Sequence, residues 1–229
     1  LILGCSELDS EEREINIIET QAELYGIEPI KYGLTSFDDL VEALNLGIQF
    51  DFIYLSAHGD EIGFSDQSGN IDVSLKEFGE MLHNNNCLTK NSYLLLSCCR
   101  SGLNDVAFDL INFCPGIQFV CGPRLSLSTE EIVMGFSIFL YNIAYKDIDP
   151  VIACDKIRNS TDLRFICFDR LEVVTETAFL LRTQKYEILE VDLDGDGMKD
   201  EIIINKIKED GVVYNDEDAL EQRESSLTE

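Results

Sequence analysis

Near neutral pH, histidine and cysteine are the side chains best suited to moving protons and attacking electrophiles, and this 229-residue chain has two histidines and eight cysteines. One of each closes an apolar run. Phe52-Ile53-Tyr54-Leu55-Ser56-Ala57 leads into His58-Gly59-Asp60, and Tyr93-Leu94-Leu95-Leu96-Ser97-Cys98 leads into Cys99-Arg100-Ser101-Gly102. A thiol with a pKa of about 8.5 is only a few per cent ionised at neutral pH, so a nucleophilic Cys99 needs a base or dipole beside it. His58 can be that base, and can return the proton to a leaving amine. Gly59, with no side chain, lets its backbone N–H approach a developing oxyanion. With the N–H of Cys99 it could form an oxyanion hole, each donor lowering the barrier by about 3 kcal/mol. Cys98 should face the opposite side of its strand as core, because neighbouring strand residues alternate faces. His83, at an Asn-rich helix end, reads as a favourable charge at a helix C-terminus.

Asp192-x-Asp194-x-Asp196-Gly197-x-x-Asp200 is a second concentration of chemistry. Its carboxylates fall at positions 1, 3, 5 and 9 of a calcium loop, with glycine at position 6. An EF-hand would place glutamate at position 12, where this chain has Ile203. The loop instead resembles the Asp-rich calcium loops of dockerin and integrin-propeller repeats, so Ca²⁺ in a structural or regulatory role is the cofactor expected, with none needed for catalysis. The chain has no CxxC pair, no Cys/His cluster at zinc spacing, and no GxGxxG or GxxxxGK[ST] after a strand. A nucleotide-binding role therefore ranks last.

The elements that must position His58 and Cys99 alternate in type. Leu1–Leu3 predicts a strand. Asp9 or Ser10 then caps a helix with Ile15, Ile18, Ala22 and Tyr25 at helical spacing, ended by Gly26. Ile27–Tyr32 predicts the second strand, and Ser36 caps a helix with Phe37, Leu40, Val41 and Leu44 on one face. Phe50–Ala57 is the third strand, followed by a polar loop and the capping box Ser74-x-x-Glu77. The cysteine strand is fourth, a helix spans 105–113, and Ile117–Cys121 is fifth. A second capping box, Ser128-x-x-Glu131, opens a long helix reaching Tyr145. Asp149-Pro150 starts another, with proline at the first helical position, and Arg164–Phe168 is the sixth strand. Such alternation means a mostly parallel sheet with helices on both faces. Beyond it, Lys185–Val191 and Glu201–Ile207 predict a hairpin around the Asp-rich loop, and the acidic tail after Asn215 suits disorder.

Composition narrows the partners. Seventeen basic against 44 acidic residues give a net charge of −27, which repels nucleic acid and anionic membranes and favours a basic or neutral target site. The chain shows neither a membrane span nor a secretion signal, and free cysteines in apolar surroundings suit a reducing cytoplasm.

Residues 1–170 resemble the caspase-like cysteine peptidases of clan CD, whose members carry an apolar strand ending in His-Gly and a following strand ending in the nucleophilic cysteine. The run Leu96-Ser97-Cys98-Cys99-Arg100-Ser101-Gly102 is similar to the Leu-Ser-Ala-Cys-x-Thr-Gly of the CHAT branch. The resemblance implies a caspase-haemoglobinase fold with six strands, Cys99 as nucleophile and His58 as general acid/base. It implies endopeptidase action on a partner protein, as an effector switched on by an activating protein or complex. Residues 171–229 would be an accessory β-hairpin. Ser97, two residues before Cys99, stands where clan members place a pocket residue, and Arg124 follows the fifth strand, which contributes to the pocket in caspases. Glu7 or Asp60 could instead receive a basic side chain. A catalytically silent scaffold that binds an activator is the alternative.

Overall fold

In the computed structural model of the chain, residues 1–5, 9–66 and 68–174 are described, together with the backbones of Tyr186–Val191, Asp200–Ile207 and Val213–Asn215. Short segments between the helices, apolar apart from the second, become the strands: β1 (Ile2–Gly4), β2 (Lys31–Gly33), β3 (Phe50–Ser56), β7 (Leu88–Leu96), β8 (Ile117–Pro123) and β9 (Phe165–Asp169). They form one sheet in the order β2-β1-β3-β7-β8-β9. All pairings are parallel except β8 with β9, which is antiparallel. This is the six-stranded, mostly parallel α/β sheet that the alternating pattern predicts. The chain steps from β1 to β2 on one side and then to β3 on the other, so the order reverses between β1 and β3. Sites in open α/β sheets form at the carboxyl ends of strands beside such a reversal.

The helices are α1 (Asp9–Leu24), α2 (Phe37–Leu44), α3 (Leu75–Asn84), α4 (Asn104–Phe113), α5 (Thr129–Leu140) and α6 (Pro150–Thr161). Their ends follow the sequence closely. Ser36, Ser74 and Ser128 each accept the expected backbone N–H, the latter two within full capping boxes. Asp149 caps α6 by accepting from Val151 and Ile152, with Pro150 at the first helical position. One face of the sheet is covered by α1, α5 and α6 through Ile15, Ile18, Phe136, Phe139, Ala153 and Ile157. Within this core, Phe136 meets both Tyr54 and Phe165 edge-on, with ring centroids 5.1 Å apart in each pair. Tyr93 of β7 stacks between Phe52 of β3 and Phe119 of β8 at 4.9 and 4.7 Å, which ties the three central strands together.

Several expectations change. The second strand is Lys31–Gly33 rather than Ile27–Tyr32. On α2, Leu40, Ala43 and Leu44 are buried while Phe37 and Val41 stay exposed, so the buried stripe is rotated from the predicted one. The long helix changes to a π-helical turn at Tyr141–Tyr145. The polar loop after the third strand is a small antiparallel sheet of its own, β4 (His58–Gly59), β5 (Gly63–Ser65) and β6 (Asp72–Ser74). At the C-terminal end, the expected hairpin is β10 (Tyr186–Val191) against β11 (Asp200–Ile207), and β12 (Val213–Asn215) adds a third strand beside β11. The chain forms two compact units, Leu1–Leu171 and Glu172–Glu229. No helix among the described residues is long and apolar enough to cross a membrane.

After β7 the chain turns tightly against β8. A Cβ on Gly102 would lie 2.5 Å from the Gly122 carbonyl oxygen and 2.9 Å from the carbonyl carbon of Pro123, both backbone atoms that no rotamer change can move. Gly102→Ala is therefore expected to destabilise the fold by about 1–3 kcal/mol, the usual range for overpacking. A thermal melt checks this, and an unchanged midpoint would show that the turn does not rest on β8.

Candidate active site

Strands β3 and β7 run side by side in a register that pairs Leu55 with Leu96, and the Ser97 N–H donates to the Leu55 carbonyl at 2.8 Å. His58 follows Leu55 by three residues, and Cys99 follows Leu96 by three. The two therefore leave neighbouring strands, about 4.8 Å apart, at the same level. Past Ser97 the backbone tightens into a turn. The Ser101 hydroxyl spans the Cys98 and Leu96 carbonyls at 2.7 and 2.9 Å, and Arg100 adopts φ +61°. Without a glycine there, that left-handed conformation has to be held by its surroundings. The Arg100 side chain is buried, with Nε 3.8 Å from Glu61 Oε2. Glu61 belongs to the loop that follows His58-Gly59, so this ion pair spans the histidine and cysteine turns.

The adjacent cysteines differ sharply. Cys98 is buried, and burial, followed by the nearby Cys5 and Glu14, pushes its thiol well above the ordinary range. Such a group resists ionisation. Cys99 is half-buried, whereas the other seven cysteines are all buried and all eight are free thiols. Access therefore singles out Cys99.

His58 occupies β4 with its side chain 49% exposed. Its Nε2 lies 3.3 Å from Oε1 of Glu11, a carboxylate whose own side chain is only 10% exposed. Glu11 sits in the first turn of α1. One turn later, Glu14 receives the Tyr54 hydroxyl at 2.7 Å and is hydrogen-bonded to the side chains of Ser97 and Ser56 as well. Ser56 precedes His58 by two residues and Ser97 precedes Cys99 by two. Glu14 thus braces both strand ends at matching positions.

Burial raises the Glu14 carboxyl above its ordinary value of 4.5, against the smaller opposing effect of its hydrogen bonds. Native protein consequently keeps this proton to higher pH than the unfolded chain does. The associated stability is complete below about pH 4.5 and is lost as pH rises through the elevated native value. Glu14→Gln should remove this slope. Urea unfolding of both proteins between about pH 4 and 8 should show the variant gaining on the parent as pH rises, and a pH-independent difference would exclude a raised native value.

Gly59 has a packing reason to be glycine. A Cβ there would meet the Gly63 carbonyl oxygen at 2.7 Å, Cys98 Cβ at 3.0 Å and Phe64 Cα at 3.3 Å. Of the residues expected to form a substrate pocket, Ser97 hydrogen-bonds through its side chain to Glu14 and Tyr54. Asp60 accepts the N–H groups of Ile62 and Gly63 at 2.8 and 3.1 Å and so stabilises its own turn. Arg124 is half-buried at the end of β8, its N–H bonded to the Arg164 carbonyl at 2.8 Å. A shallow depression of about 340 Å³ is lined by Gly59, Asp60, Ile62, Phe64, Asp72 and Glu77, among others, and neither His58 nor Cys99 lines it. Glu7, Asp192, Asp194 and Asp196 lie outside the described residues, and Asp200 is described only as backbone at the start of β11.

Glu11, Glu14, Glu61 and Arg100 were not singled out from the sequence. A signal for the first two exists: Glu11 and Glu14 continue the Ile15, Ile18, Ala22 stripe backwards at helical spacing, so they share the face that α1 buries. Glu61 and Arg100 carry no such periodic mark.

No family model matches the chain, and no curated protein matches it. Among solved structures, it is similar to a secreted C11 cysteine protease from Bacteroides thetaiotaomicron in complex with an irreversible peptide inhibitor. There the identity is 10% and the TM-score 0.44, over 72% of this chain and 62% of that one. It is also similar to an inactive zymogen C11 protease from Parabacteroides distasonis, at 14% identity and TM-score 0.43, over 69% of this chain and 48% of that one. This chain spans less than two thirds of the length of either. At these values the likeness speaks to neither activity nor substrate.

Proposed function

We propose that the chain is a caspase-like cysteine endopeptidase, with Cys99 as nucleophile and His58 as general acid/base. The observation that carries this reading is the shared level at which β3 and β7 release His58 and Cys99, with Cys99 the one cysteine that is not buried. In the reaction, the Cys99 thiolate attacks the scissile carbonyl carbon and the C=O electron pair moves onto oxygen. Backbone N–H groups of Gly59 and Cys99 are the oxyanion donors in this scheme. Protonated His58 gives its proton to the departing amine, leaving a thioester, and then accepts a proton from the water that hydrolyses it. The likeness of the run from Leu96 to Gly102 to the CHAT motif supports placing the enzyme in that branch, and with it a role in cleaving a partner protein under the control of an activator. The Asp192–Asp200 loop would take Ca²⁺.

The test is covalent labelling of the full chain by peptidyl electrophiles bearing Arg, Lys, Asp, Leu or Met next to the reactive group, with and without calcium, read by intact mass. A single adduct is expected, kept in Cys98→Ala and lost in Cys99→Ala. The preferred probe identifies the pocket, and any calcium dependence reports on the Asp-rich loop. An adduct that survives Cys99→Ala would remove Cys99 from the mechanism. No adduct under either condition would favour the silent scaffold.

A further inference from the structure

We propose that Glu11 is the positioning residue for His58, fixing the imidazole with its hydrogen on Nε2 so that Nδ1 is the nitrogen that exchanges protons on the Cys99 side. This rests on the assignment of His58 and Cys99 above and adds a third member to that pair. Glu11 is only 7% exposed, and His58 Nε2 stands 3.3 Å from its Oε1. A carboxylate only accepts hydrogen bonds, whereas a neutral imidazole has one donor and one acceptor nitrogen. At 3.3 Å the nitrogen facing Glu11 is the one a carboxylate favours as the N–H, and in this proposal that leaves the Nδ1 lone pair as the base. Once protonated, the ring holds one N–H toward the carboxylate and has the Nδ1 proton to give away. The same contact places the positive charge of the imidazolium beside a fixed negative one.

The aim of Glu11 is itself fixed. Both carboxylates ride on one 16-residue helix, and the Glu14 contacts with Tyr54, Ser56 and Ser97 set the rotation of that helix over the strand ends. A free imidazole on a half-exposed two-residue strand has many orientations open to it. In this proposal the contact with Glu11 narrows them, which is the entropic part of a positioning role.

Because the chain has only two histidines, His83→Gln leaves His58 as the sole imidazole. Nitrogen-15 NMR of that full-length protein should show the Nε2–H tautomer. Glu11→Ala should move both ring nitrogen signals toward the averaged values of a free imidazole. Glu11→Asp should restore part of the pattern, and the isosteric Glu11→Gln guards against a folding defect in the alanine variant. Hydrolysis of an amide built on the best-labelling peptide should lose about 10²–10⁴-fold in kcat in Glu11→Ala with KM little changed, the scale seen when a carboxylate that orients a catalytic histidine is neutralised. Imidazole signals identical in parent and Glu11→Ala, or an unchanged kcat, would overturn the proposal. The spectra decide the role of Glu11 even if no electrophile labels Cys99, so failure of the peptidase reading and failure of this one are distinguishable.

Discussion

In His58→Ala, kcat for amide cleavage is expected to fall by about 10²–10⁴-fold, the range supplied by one positioned acid/base group. Alkylation of Cys99 by a small neutral electrophile should fall much less. The two reactions differ in what they ask of the imidazole. Alkylation needs a thiolate and expels a good leaving group, whereas amide cleavage must protonate a nitrogen that otherwise leaves as an unstable anion. A variant that loses both reactions equally would mean that His58 acts only by ionising the thiol. One that loses neither, in a chain whose other histidine lies at the exposed end of α3, would place the proton donor outside the imidazoles altogether.

The second large effect lies in the core. Phe136→Ala should destabilise the first unit by about 3–5 kcal/mol, because a fully buried ring is removed from between two others and the surrounding strands cannot close the gap. Urea unfolding measures this directly. A cost below about 1 kcal/mol would show that α5 does not seat on the sheet through this residue. The effect should also reach the active site, since Phe136 packs on the Tyr54 ring and the Tyr54 hydroxyl anchors Glu14. Near-native labelling of Cys99 in a destabilised but folded Phe136→Ala protein would separate core packing from site geometry.

Helix boundaries were the most legible part of the chain, because each rests on chemistry confined to a few neighbouring residues. Ser74 with Glu77, Ser128 with Glu131, and Asp149 with Pro150 announce helix starts regardless of tertiary context. The ribbon β4–β6 was not legible. Its strands are two and three residues long, too short for alternation to register, and the intervening Asp and Asn side chains read as loop. His58 and Cys99 stand out because each ends an apolar run. Arg100 carried no mark at all, and the helical spacing of Glu11 and Glu14 was masked by their charge, because buried charge is rare and a charged residue in an acidic sequence reads as surface. Their burial follows from what lies across the fold, at separations such as the 40 residues between Glu14 and Tyr54.

Those long separations govern when the site comes into being during folding. Glu11 and Glu14 arrive with the first βα unit, Ser56 and His58 with β3 and the ribbon, and Ser97 and Cys99 only with β7. No stretch of the chain short enough to fold early holds members of more than one of these three pairs, and each loop closure must be completed before its contacts return any stabilisation. A nascent chain still short of Cys99 thus has His58 and Glu11, with the thiols of Cys5, Cys87 and Cys98, but not the one cysteine that the folded protein leaves half-buried. On the proposed reading, nucleophilic competence arrives late, once the central sheet has been assembled through β7.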